Sequence, residues 1–195
     1  MNINKLYKNY KDQLNENLDL VNKKDLELIS KKLISIFKKK KNIYICGNGG
    51  SAAISNHYIC DYLKLIRYNT NFKPKIYSLN DNIENITAIS NDIKYEEIFK
   101  YQAETYMEKD DLLIIISSSG NSKNVIKLAK WAKNKKIFVI SFTGFNGGRL
   151  KKLSSININI NDSNYGRIED CHHILMHLIM HNIILNNAKI KKVRI

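Results

Sequence analysis

Residues 42–65 read NIYICGNGGSAAISNHYICDYLKL, and this stretch decides the fold. Ile43 to Cys46 form a short apolar strand, Gly47-Asn48-Gly49-Gly50 make a turn, and a helix is expected to begin near Ser51. Glycines let such a turn bend sharply and bring backbone N–H groups close to a ligand. Ser51 is expected as the helix N-cap, with unpaired N–H donors behind it that suit an anion. His57 and Asp61 lie four residues apart and so share one face of the helix. A phosphate cradle thus stands next to two groups able to move protons or hold a metal. Read alone, the stretch also fits a tight strand–helix turn with a surface His/Asp pair.

The same alternation continues outward. Two more strand–helix junctions are legible, at Leu112–Ile116 and at Ile137–Phe142, with flanking strands at Lys75–Leu79 and around Ile156, Ile158 and Ile160. Leu112–Ile116 is wholly apolar, as befits the buried centre of a parallel sheet. Strands alternating with helices imply an α/β fold, a doubly wound five-stranded parallel sheet with helices on both faces. Residues 3 to about 41 read as two N-terminal helices, the second capped by Asp25 and ending in the Lys38–Lys41 cluster. A long C-terminal helix runs from Tyr165 to about Asn187. One domain is expected over 1–195: a helical extension at 1–41, an α/β core at 42–187 and a basic tail at 188–195.

In such a sheet ligands bind beyond the carboxyl ends of the strands. Ser117-Ser118-Ser119-Gly120-Asn121-Ser122 follows the central strand and precedes a helix, making a second anion cradle. The polar trio Ser90-Asn91-Asp92 interrupts a periodic segment and is expected as a loop or helix start facing a site. The segment YGRIEDCHHILMHLIMH sets Glu169, Asp170, His172, His173, His177 and His181 among apolar residues. Imidazole and carboxylate together suit Zn²⁺ or another borderline divalent ion. Which of the four histidines points inward is left open by the spacing.

The chain has 195 residues, a net charge of +14 and a pI near 9.6. Such charge raises nucleic acid as a partner, but nearly all of it is lysine, with arginine only at 67, 149, 167 and 194. No base-reading motif accompanies it, so an enzyme with a basic surface is preferred to nucleic-acid binding. The first residues are polar and amphipathic, without a secretory segment, and no apolar run is long enough for a membrane. Three cysteines, Cys46, Cys60 and Cys171, suit reduced thiols in a cytoplasmic protein.

With these residues assembled, the chain resembles sugar-isomerase (SIS) domains, and specifically the phosphoheptose isomerase family. The resemblance rests on Gly47-Asn48-Gly49-Gly50-Ser51-Ala52-Ala53 with His57, on Asn91-Asp92, on Ser117 through Ser122, on Thr143-Gly144 with Gly147-Gly148, and on Arg167-Ile168-Glu169-Asp170 with His177. It implies a flavodoxin-like SIS fold, a homotetramer with sites between subunits, and isomerisation of D-sedoheptulose 7-phosphate to D-glycero-D-manno-heptose 7-phosphate, an early step toward bacterial surface heptose. It implies substrate contacts from Asn48, Gly49, Ser51, Asn91, Asp92, Ser117, Ser118, Ser119, Asn121, Ser122 and Glu169. The proton-transfer pair falls on Asp61 and His177, and the Zn²⁺ ligands on His57, Asp61, Glu169 and His177. Two positions depart from the pattern, which usually has Glu at Asp61 and Gln at Glu169; Tyr165-Gly166 departs as well. The alternative is a non-catalytic SIS module that binds a sugar phosphate or a protein partner.

Overall fold

The computed structural model describes residues 2–189. The run LLIIIS, Leu112–Ser117, has no polar face to turn to solvent, and all six of its residues are buried. As β3 it forms the middle of a five-stranded, all-parallel sheet with β1 (Asn42–Gly47), β2 (Lys75–Ser78), β4 (Phe138–Gly144) and β5 (Ile156–Ile160), in the order β2-β1-β3-β4-β5. The helices are α1 (Ile3–Asp19), α2 (Lys23–Lys38), α3 (Gly50–Cys60), α4 (Arg67–Asn69), α5 (Ile83–Ile89), α6 (Ile98–Tyr106), α7 (Lys123–Asn134), α8 (Gly148–Leu153) and α9 (Tyr165–Asn187).

Because successive side chains along a strand point to opposite faces, the sheet divides the core in two. On one face Ile43, Ile45, Leu112, Ile114, Ile116, Ile140 and Phe142 pack with α2, α3 and α9. On the other, Tyr44, Cys46, Leu113, Ile115 and Val139 meet α6 and α7 through Phe99, Ala103, Val125 and Leu128. Each fully buried aliphatic side chain contributes roughly 1.5–3 kcal/mol, so the two layers supply most of what holds the helices to the sheet.

The strand order places a switch point at β1 and β3. From β1 the chain goes outward to β2, then returns to pair β3 on the other side of β1, so the loops leaving the two strands diverge. The register aligns Gly47 with Ile116, which brings the glycine turn and the serine turn to one edge of the sheet. The expectation that the fold unites two cradles distant in sequence therefore holds.

Local details differ from the sequence-based expectations. Helix α3 begins at Gly50 with Gly49 as its cap, so Ser51 lies inside the first turn, buried, rather than capping it. Helix α2 is capped by Asn22, whose side chain accepts from Lys24 N at 3.0 Å; Asp25 falls in the first turn instead. Ser90-Asn91-Asp92 is not a loop. It opens a π-helical turn, Ser90–Lys94, that continues α5 through a 3₁₀ turn (Tyr95–Glu97) into α6, and the extended residue is Lys94. A second π-helical turn, Asp61–Ile66, continues α3. Strand β4 runs on through Thr143 and Gly144. The expected basic tail lies mostly outside the described residues; within them, Ala188 pairs with Thr70.

The start of α9 is fixed by one ion pair. Arg167 donates from Nε and Nη2 to the two Asp162 oxygens at 2.6 and 2.7 Å, and Asn17 of α1 donates to the same carboxylate at 2.6 Å. The guanidinium, foremost, holds the Asp162 carboxyl well below the usual carboxylate range. Since its folded-state pKa is depressed, its stabilisation is present above the ordinary carboxylate pKa and is lost as pH falls below about 4. Asp162→Asn should therefore destabilise the protein by about 2 kcal/mol at pH 7. The deficit should shrink in thermal melts at pH 3.5; an equal deficit at both pH values would refute this account.

Candidate active site

Two helices leave the same sheet edge and run alongside each other. At their start, the Glu169 carboxylate of α9 lies against Gly50 of α3, in space that a side chain at position 50 would contest. Seven residues along α3 and eight along α9 then advance each helix about 10–12 Å. The side chains that meet there are His57 and His177, with Nε2 atoms 3.2 Å apart. Asp61 Oδ2 lies 3.1 Å from His177 Nε2 and 3.5 Å from His57 Nε2. Asp61 is buried whereas both imidazoles are about half exposed. Asp61 is the first residue of the π-helical turn, an irregularity common at functional sites.

The cradle is a small cavity of about 170 Å³ lined by Asn48, Ser51, Ser117, Ser118, Ser119, Ser122, Tyr165 and Glu169. Ser118 Oγ is buried there without a hydrogen-bond partner. Buried hydroxyls are normally paired, so this one is set for a ligand. The serine turn is held by interlock: Gly120 has φ 61°, and an added Cβ would lie 2.2 Å from the Gly147 carbonyl oxygen. Gly120 O in turn accepts from Leu150 N at 3.0 Å.

Asn48 is held over the cradle by a reciprocal amide pair with Asn124, each Nδ2 donating to the other's Oδ1 at 2.9 Å, and by Tyr95 Oη at 3.1 Å. Burial, with a smaller push from Asp170, raises the Glu169 carboxyl above its ordinary pKa. Such a group is readier to hold a proton than a free glutamate.

The remaining expected residues are placed as follows. Asn91 and Asp92 are exposed and bonded to each other, Asn91 Nδ2 to Asp92 Oδ1 at 2.8 Å, outside the cradle lining. Gly49 stands exposed at the rim as the cap of α3. Asn121 braces the serine turn, donating to Ser119 O at 3.1 Å and accepting from Arg149 N at 3.0 Å. Glu169 faces the cradle, one side of it lying against Gly50, while His57, Asp61 and His177 gather two turns away.

Of the four histidines, His172 turns into the core, fully buried, where Nε2–H donates to Thr143 O at 3.1 Å and burial pushes its pKa down to about 4. His173 joins His57 and His177: the three rings offer nitrogens within 4.8 Å of one another. His181 lies outside this cluster.

The pattern of the SIS domain family matches residues 7–144 of the chain. Phosphoheptose isomerase of Helicobacter pylori is 38% identical over 148 residues, 75% of this chain and 76% of that protein. That of Fusobacterium nucleatum is 34% identical over 161 residues, 83% and 82%. The chain belongs to the phosphoheptose isomerase family of SIS-domain proteins. The phosphoheptose isomerase structure from Neisseria gonorrhoeae shares its fold at a TM-score of 0.83 and 24% identity, over 93% of this chain and 97% of that one. The Francisella tularensis structure gives 0.83 at 23% identity, over 95% and 97%.

Within the pattern expected of a phosphoheptose isomerase, reading by sequence missed Asn124 and Tyr95, since each acts only by orienting Asn48. A buried amide in the first turn of a helix after the serine run was the available signal. The interlock yields a direct test. Gly120→Ala should cost about 2 kcal/mol or more, because both its φ and its contact are closed to a side chain. It should also weaken inorganic phosphate binding at least tenfold by calorimetry. Unchanged stability and affinity would show that the serine turn does not depend on this packing.

Proposed function

We propose that this protein is an aldose–ketose isomerase that converts D-sedoheptulose 7-phosphate to D-glycero-D-manno-heptose 7-phosphate through an enediol. The observation that carries the reading is the placement, along one pair of adjoining helices, of an anion cradle and a carboxylate–imidazole group. A phosphate in the cradle, bound by Ser117, Ser118, Ser119 and Ser122, leaves the sugar chain free to extend toward Asp61 and His177. Asn48, Ser51 and Glu169 would line its path, with Asn91 and Asp92 at the outer rim.

Moving the carbonyl from C2 to C1 requires removing a proton at C1 and delivering one at C2, while the hydroxyl proton shifts from O1 to O2. Asp61 is the proposed base. Its Oδ2 faces the two imidazoles, and a carboxylate has a second oxygen with which to meet the substrate. His177, 3.1 Å from that carboxylate, is the proposed partner that takes the proton on and returns it. Burial of Asp61 keeps water from competing for the same atoms.

A divalent metal, Zn²⁺ by preference, fits the donor set. Metal–nitrogen bonds of 2.0–2.1 Å set tetrahedral ligand–ligand edges of about 3.3 Å. The three separations among His57, Asp61 and His177 run from 3.1 to 3.5 Å. When bound, such an ion would polarise the carbonyl and stabilise the enediolate charge.

The proposal carries a homotetramer and a cytoplasmic setting. In support of assembly, α1 has no buried residue and exposes Ile3, Leu6 and Tyr7, while α9 exposes Leu178 and Leu185. Such faces on two adjoining helices suit coverage by further copies of the chain. No helix among the described residues is long and apolar enough to cross a membrane, and the three cysteines are free thiols. Light scattering should give about four times the 22.6 kDa chain mass; a monomer would remove this part of the reading.

The activity is tested by NMR of D-sedoheptulose 7-phosphate with enzyme in D₂O, with and without Zn²⁺. The aldoheptose phosphate should form, carrying deuterium at C2 where the transferred proton exchanges with solvent. Asp61→Asn and His177→Ala should each lower kcat by roughly 10²–10⁴, with sugar-phosphate binding retained. An unchanged substrate spectrum alongside tight sugar-phosphate binding would instead establish the non-catalytic module. Full turnover in either variant would remove that residue from the mechanism.

A further inference from the structure

We propose that His173 is a metal ligand of this protein, acting with His57 and His177 beside Asp61, and that Glu169 is not. The inference deepens the isomerase reading and rests on it for its setting, though its test does not require turnover.

Residues 169, 173 and 177 are spaced by four along α9, each step advancing about 6 Å and turning about 40°. Glu169 therefore stands about 12 Å along the helix from His177, level with Gly50 and the serine cradle, where its carboxylate is found. His173 stands one turn from His177, level with His57. Its ring lies 4.6 Å from that of His57 and 4.7 Å from that of His177, centroid to centroid. One ring nitrogen from each of the three lies within 4.8 Å of the others.

A second observation points the same way. His173 Nε2 is buried without a hydrogen-bond partner. Buried polar atoms are normally paired; the neighbouring His172 is bonded to Thr143 O through Nε2, with its own Nδ1 left unpartnered in the core, whereas the open nitrogen of His173 stands among two other imidazoles. Three imidazoles brought this close each give up part of their hydration, and burying a ring nitrogen without a partner, as at His173 Nε2, is costly. An ion that accepts a lone pair from each offsets that cost, and the Asp61 carboxylate 3.1–3.5 Å from two of them supplies compensating charge. Neutral imidazole donors with one carboxylate select a borderline divalent ion such as Zn²⁺ over Mg²⁺ or Ca²⁺.

Glu169 is left to the cradle, whose lining it joins with Asn48, Ser51 and the serine turn.

The test is metal affinity without substrate, using purified full-length protein with Zn²⁺ in chelator competition and Co²⁺ in visible spectroscopy. The comparison is of unaltered protein, His173→Leu and Glu169→Ala. Unaltered protein should bind one ion per chain with tetrahedral Co²⁺ bands. His173→Leu should lose roughly 100-fold or more in Zn²⁺ affinity and show altered Co²⁺ bands, since losing even an outer-shell partner costs 10–100-fold. Glu169→Ala, which removes every donor atom of that side chain, should stay within about threefold of the unaltered protein. Metal-free melting curves check that each variant is folded. Should His173→Leu misfold, His173→Gln, which keeps a polar group of similar reach, takes its place with the same expected loss. Unchanged affinity in the folded His173 variant, loss confined to Glu169→Ala, or no binding by unaltered protein would each overturn the proposal. Normal metal binding without isomerisation would overturn the isomerase reading and leave this one standing.

Discussion

The common origin of α3 and α9 at one sheet edge is the constraint on which the site depends. There the Glu169 carboxylate, at the first turn of α9, lies against Gly50 in the first turn of α3. Once that origin is fixed, helical rise fixes the rest. Groups seven or eight residues on must meet, and these are His57 and His177. A misplacement of about 1 Å at reacting groups can cost 10²-fold in rate.

The other half of the site depends on the sheet. β3 is buried on both faces and pairs with β1 in a register that ends both strands at the same level. The serine turn therefore opens beside the glycine turn although some seventy residues separate them. Its shape comes from a further turn, because Gly120 is pressed against Gly147 and Gly148 beyond β4. The turns after β1 and β3 thus line one small cavity, which the glycine turn after β4 braces without lining.

Much of this was legible in the sequence, for identifiable reasons. Strand identity followed from unbroken apolar runs such as Leu112–Ile116, which leave no other packing choice, and the parallel arrangement followed from alternation with helices. Local geometry was harder. Ser51 has the chemistry of a cap, yet Gly49 takes that place because the chain must turn at a backbone angle that serine disfavours. Ser90-Asn91-Asp92 looks like a break, but a π-helical turn accommodates polar residues on an exposed face without leaving the helix. The inward-facing histidines could not be chosen from spacing alone. His172 and His173 are adjacent, and only packing against β4 decides that one enters the core while the other faces α3.

That division of adjacent histidines bears on how the site tolerates change. A helix packed on a sheet offers one stripe to the core and another to its neighbouring helix, and a donor at either i or i+4 on the second stripe can reach the same point. Replacing a long acid by a short one at position 61 need not empty the site, provided a donor on the opposite helix lies one turn nearer. Here His173 has that position, level with His57 and behind His177. The sheet edge sets where the two helices meet, and the stripes they turn toward each other bring His57, Asp61, His173 and His177 to that point.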